Sequence, residues 1–123
     1  VVHCTYDPAT KAGSGFSERK VKGTIHWVPV HSAVKVKARL YENIIDEEKG
    51  VYNEEDGSLN LNPHSLTELD NCYVEPAIKG AKAYDSFQFV RNGFFCVDYK
   101  DSTEDELVFN RIVSLKSSFK LPK

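Results

Sequence analysis

A two-residue periodicity, interrupted by turn-forming residues, limits what this chain can fold into more than any other feature. Val34, Val36, Ala38 and Leu40 alternate with Lys35, Lys37, Arg39 and Tyr41. Successive side chains of a strand point to opposite faces, so this run reads as a strand with one apolar and one wet side. Residues 21–28 alternate in the same way, with Val21, Gly23, Ile25 and Trp27 against Lys22, Thr24 and His26. That pattern predicts a second strand with Ile25 and Trp27 in the core. Further strands are expected over residues 83–91, 94–99 and 108–115. Asp7-Pro8, Gly13-Ser14-Gly15, Asp56-Gly57, Asn62-Pro63 and Asn92-Gly93 punctuate the pattern. Short strands separated by such signals predict an all-β fold, a sandwich or an antiparallel β-barrel. The one helical expectation is a short turn at residues 32–34, where Pro29 and His31 break the alternation.

The run Phe87-Gln88-Phe89-Val90-Arg91-Asn92-Gly93-Phe94-Phe95-Cys96 carries the most chemical information. Asn-Gly between apolar runs favours a two-residue hairpin loop of type I′, with positive φ at both residues. That loop would pair Arg91 with Phe94, Phe89 with Cys96 and Gln88 with Val97. Gln and Arg beside exposed rings suit the reading of unstacked RNA bases, in which the ring stacks and the polar group meets the base edge. The same residues also fit an ordinary hairpin with a surface Gln and Arg.

At 123 residues the chain is long enough for a real core but not for a multidomain enzyme. It has no Met and begins Val1-Val2 in an alternating run, so a piece of a longer protein is expected. No run approaches the roughly 18 apolar residues of a membrane-crossing helix, and a soluble protein is expected. Cys4, Cys72 and Cys96 have no CxxC or zinc spacing, which predicts reduced thiols in the cytoplasm. The net charge of −2 hides a segregation. Arg19, Lys20, Lys22, Lys35, Lys37 and Arg39 fall in a stretch with no acidic residue, whereas residues 42–56 hold seven acidic residues and Lys49. Local field rather than net charge attracts phosphates, so RNA binding is permitted.

Catalytic and metal motifs are absent from the sequence. Counted from Asp46 as the first position of a calcium loop, Val51 falls where Gly is needed and Gly57 where Glu is needed. Residues 46–61 therefore read as a solvated acidic hairpin. His3, His26, His31 and His64 lack metal-ligand spacing. Ser114-Leu115-Lys116-Ser117-Ser118 lacks the glycines of a phosphate loop. A binding module with no catalytic residue is the expectation.

Five ordered motifs then resemble the C-terminal anticodon-binding region of glutaminyl-tRNA synthetases. They are Arg19-Lys20-Val21-Lys22-Gly23-Thr24-Ile25-His26-Trp27-Val28, Arg39-Leu40-Tyr41, Asn62-Pro63-His64-Ser65-Leu66, the Phe87-to-Cys96 run, and Val108-Phe109-Asn110-Arg111. The resemblance runs from about Cys4 to Leu115. It implies two β-barrels of the synthetase anticodon-binding type, like those of ribosomal-protein-like RNA binders. Residues 1–45 would resemble part of the distal barrel and 46–123 the returning strands of the proximal one. It also implies a parent enzyme that ligates glutamine to its tRNA with ATP and magnesium, through a catalytic domain whose motifs this sequence lacks.

By the same resemblance, Gln88 and Arg91 fall at positions that contact the middle anticodon base, a uridine. Residues three apart on a regular strand face opposite ways, so a twist or bulge would be needed for both to meet one base. Lys20, Lys22, Lys35 and Lys37 are candidate phosphate contacts. Unpaired barrel edges would favour self-association of the chain alone. The corresponding region of a glutamyl-tRNA synthetase, a non-enzymatic RNA-binding barrel and a protein-interaction barrel remain as alternatives.

Overall fold

The computed structural model describes residues 3–11, 23 and 25–115. Five strands carry the fold: β1 Val34–Tyr41, β2 Leu66–Val74, β3 Ser86–Phe89, β4 Gly93–Val97 and β5 Val108–Ser114. They form one sheet in the order β2-β1-β5-β4-β3. Every neighbouring pair is antiparallel except β1 and β5, which run parallel with Lys37, Ala38 and Arg39 beside Val108, Phe109 and Asn110. An antiparallel β1–β2 pair and a β3-β4-β5 meander thus meet at one parallel seam. The all-β expectation holds, while barrel closure is not seen among the described residues. Strands β2 and β3 are the two edges of an open sheet. Among the described residues no helix is long and apolar enough to cross a membrane.

Alternation in β1 does what the pattern predicts: Val36 and Ala38 are buried while Lys35 stays exposed. Val36, Ala38, Phe95, Val97 and Phe109 form the core with Ile78, which a short 3-10 turn at Pro76–Ile78 brings over the sheet. Phe109 has no exposed surface and meets Phe87 and Phe89 edge-on, at ring-centroid distances of 6.1 and 5.1 Å. Phe89 also stacks on Phe95 at 4.6 Å. Burying a side chain of this size contributes roughly 1.5–3 kcal/mol.

Several expectations are corrected. Residues 25–28 are not in a strand, and Ile25 and Trp27 are 83% and 71% exposed rather than in the core. Alternation defines two faces, but a strand also needs a ladder partner, and none pairs with 25–28 among the described residues. Val21, Lys22 and Thr24 lie outside those residues. The turn expected at 32–34 lies instead at 30–32: the Pro29 carbonyl accepts from Ser32 and Ala33 amides, and Val34 already belongs to β1. The strand expected over 83–91 shortens to β3, because a turn closed by Asp85 N donating to Lys82 O precedes it. Residues 46–61 do form a projecting hairpin-like arm, with bridges between Ile45 and Leu61 and between Tyr52 and Leu59.

Gly93 opens β4 with φ of 146°, and a Cβ added there would lie 2.6 Å from the Val113 carbonyl oxygen. The obstructing atom is backbone and cannot swing away. Gly93→Ala is therefore expected to destabilise this chain by roughly 2 kcal/mol or more in urea unfolding. A change within a few tenths of a kcal/mol would show that β4 and β5 tolerate separation at this point.

Candidate nucleic-acid interface

The β3–β4 hairpin has a different register from the one the Asn-Gly pair predicts. Gln88 lies opposite Phe94 and Phe89 opposite Gly93, leaving Val90, Arg91 and Asn92 as a three-residue loop. Asn92 N donates to Phe89 O at 2.8 Å, and Asn92 Nδ2 donates to Val90 O at 3.1 Å. Arg91, not Asn92, takes the positive φ, at 67°. Positive φ at the third turn position alone matches a type II turn rather than type I′. The physical reason lies in Gly93: close approach of β5 demands a glycine at the start of β4, so Gly93 is part of the sheet and the turn forms one residue earlier. A side-chain-bearing residue in this region costs of order 1 kcal/mol and needs firm surroundings.

Gln88 is exposed, whereas Phe87 and Phe89 on either side turn toward the core. Its cross-strand neighbour Phe94 is also exposed, so an amide and a ring share one outer surface. Arg91 has left the strand. The alternation that would set it on the opposite face from Gln88 therefore does not govern it.

An open groove of about 460 Å³ is lined by Gln88, Val90 and Asn92 of the hairpin, by Phe95, and by Val74 and Ile78. Cys72 also lines it, and partial burial there raises its thiol pKa. Arg111, on the same lining, donates from Nη2 to the Tyr41 carbonyl at 3.2 Å and pairs with Glu42. It thereby ties the end of β1 to β5.

The candidate phosphate contacts are unevenly placed. Lys20 and Lys22 lie outside the described residues. Lys35 is exposed beside Tyr73. Lys37 pairs with Glu106 at 3.1 Å and with Asp70 at 4.0 Å, and the Glu106 hydrogen bond raises its pKa. Arg39 holds Glu68 at 3.0 Å, Asp101 at 2.7 Å and Asp98 at 3.6 Å, and the hydrogen bonds to Asp101 foremost, then Glu68, raise its pKa. Among the described residues no group of three or more His, Cys, Asp or Glu is arranged to hold a metal. Cys4, Cys72 and Cys96 are free thiols, and His26 Nε2 lies 3.6 Å from Glu75 Oε1.

Sequence reasoning did not find the network around Asp98. Its Oδ1 accepts from Lys100 N and Asp101 N, and its Oδ2 accepts from Asn110 Nδ2 at 2.6 Å. The Asp101 amide foremost, then Asn110, hold this carboxyl below its ordinary value of 3.8. An Asp followed by turn residues was the available signal. Asp98→Ala is expected to cost about 2 kcal/mol in urea unfolding at neutral pH. Because the folded pKa is depressed, this contribution is full above the unfolded value and is lost as pH falls through the folded one. The wild-type advantage should therefore shrink in acid; an advantage independent of pH would contradict an ionised Asp98.

Residues 24–98 match the family model for the anticodon-binding domain of class I tRNA synthetases (E and Q). The chain is 50% identical to a glutamine–tRNA ligase of Clostridium perfringens, over 98% of this chain and 22% of the relative. Identity is 53% to that of Clostridioides difficile, over 97% and 22%, and 44% to that of Pseudomonas putida, over 96% and 21%. The chain thus spans only about a fifth of the length of these relatives.

Proposed function

The chain belongs to the anticodon-binding domain family of the class I glutamyl- and glutaminyl-tRNA synthetases, and from that premise we propose that it is the anticodon-binding part of a glutamine–tRNA ligase. The observation that carries this reading is the near-complete coverage of the chain at about half identity by glutamine ligases. It favours glutamine over glutamate. The longer polypeptide ligates glutamine to its tRNA in the cytoplasm, and the ATP and magnesium of that reaction belong to a catalytic part outside this chain. The role left to these residues is binding and discrimination.

Gln88 and Arg91 read the middle anticodon base. Uracil presents an N3–H donor between two carbonyl acceptors, and a Gln amide can both accept and donate. An unstacked base laid against exposed Phe94 would meet the Gln88 amide on the same surface. Arg91, held at the loop apex, donates to a base carbonyl or an adjacent phosphate. Lys20, Lys22, Lys35 and Lys37 lie along the RNA backbone, where Lys37 would exchange Glu106 for a phosphate. When this chain is alone, its β2 and β3 edges are where a second copy would pair.

Aminoacylation by the full-length protein tests the base-reading role. Gln88→Ala and Arg91→Gly are each expected to lower kcat/KM by roughly 1–3 kcal/mol of discrimination, with smaller losses on a tRNA changed at the middle anticodon base. Arg91→Gly should leave thermal stability unchanged or higher, since glycine is at ease at positive φ. Unchanged kinetics in both variants would return the hairpin to a scaffold.

A further inference from the structure

Tyr84 and Tyr99 form a stacked pair at the end of the β3–β4 ladder away from the 90–92 loop. Their ring centroids are 5.4 Å apart with planes inclined by 14°, yet the residues are 67% and 66% exposed. Each ring stands on a short turn fixed by hydrogen bonds. Tyr84 N donates to Val97 O at 3.1 Å, and its turn is closed by Lys82 N donating to Asp85 Oδ2 at 2.8 Å. Tyr84 takes a left-handed φ of 71°, which a residue with a side chain adopts only when held. Tyr99 sits in the turn capped by Asp98 Oδ1, which accepts from Lys100 N and Asp101 N at 2.8 and 2.7 Å. Both rings are positioned in advance, so a contact costs little additional order.

The charges beside the rings are unequal in their engagements. Asp85 accepts from the Lys82 amide, Asp98 from two amides and Asn110, and Asp101 from Arg39. Lys79, Lys82 and Lys100 have no carboxylate partner among the described residues, unlike Lys37 and Lys49. The acidic pair Glu104 and Asp105 belongs to the following turn. What remains is an exposed stack of two rings with lysines near each in sequence, which matches a ligand with a planar face and a negative backbone. An apolar protein surface laid over the rings would leave those ammonium groups unanswered.

We propose that Tyr84 and Tyr99 are a second RNA contact: a stacking platform for an unpaired base of the same RNA that meets the 90–92 loop, with Lys82 and Lys100 beside the flanking phosphates. This inference rests on the reading that the chain binds tRNA. At most about 13 Å of chain separates Tyr84 from Gln88 at the usual rise of an extended residue, so a few nucleotides of one single strand can touch both. Stacking tolerates any base because every base has a π face, so the platform adds affinity without adding specificity.

The test is fluorescence anisotropy of a labelled tRNA transcript with the glutamine anticodon, titrated with the full-length protein at two salt concentrations. Tyr84→Gly and Tyr99→Ala are expected to weaken binding roughly tenfold. Tyr99→Phe should bind as wild type, and Tyr84→Gly should keep its thermal midpoint because glycine suits that φ. The double variant Lys82→Ala/Lys100→Ala should lower the salt slope by about two. Wild-type affinity in both tyrosine variants, with Gln88→Ala weakened, would overturn the platform and leave the anticodon reading intact. Weakened tyrosine variants beside unaffected Gln88→Ala and Arg91→Gly would support the platform and overturn the hairpin's role. No tRNA binding by the wild-type protein would overturn both.

Discussion

The structure depends on the contact that Phe109 makes at the seam between two antiparallel units. Beside Ala38 of β1 in the parallel pairing and opposite Val97 of β4, it is fully buried and meets Phe87 and Phe89 of β3. Removing it would separate the β1–β2 pair from the meander that carries the candidate RNA-reading hairpin. The parallel seam is short, and Arg111 with Tyr41 and Glu42 secures one end of it. On the outer face Arg39, Asp98, Asn110 and Tyr41 link the same strands through side chains. The hairpin is thus mounted on a sheet that is braced from both sides.

Alternation made β1, β4 and β5 legible because each lies within a sheet that buries one of its faces. It failed at residues 25–28, where no partner strand supplies a ladder among the described residues. It also concealed β2. There the register slips between Val36 and Ala38, so Cys72 and Leu69 oppose residues two apart while being three apart themselves. A bulge of this kind breaks the period that a sequence reading depends on. The Asn-Gly signal located the hairpin but misplaced its apex. It weighed only the turn, whereas Gly93 also answers to the Val113 carbonyl on the neighbouring strand.

The candidate site was legible in residue type and only partly in placement. Gln88 is on the exposed surface as expected, and the loop register frees Arg91 from the face that strict alternation would give it. The basic run from Arg19 to Arg39 looked uniform in sequence, yet Lys37 and Arg39 have carboxylate partners contributed by β2 and by the segment between β4 and β5. Such pairings connect residues 29 to 69 positions apart, beyond the reach of local charge counting. The Tyr84–Tyr99 pair was hidden for a related reason: each tyrosine stands alone in sequence, and only the β3–β4 ladder brings them together.

Hydrogen exchange of the full-length protein, with and without tRNA bearing the glutamine anticodon, tests the central claim most directly. The amides of Val90, Arg91 and Asn92, outside the regular ladder, should slow on binding, while the acidic arm at 46–61 should exchange as before. Unchanged exchange in the 90–92 loop at saturating tRNA, with protection confined to other parts of the protein, would contradict an RNA-reading hairpin.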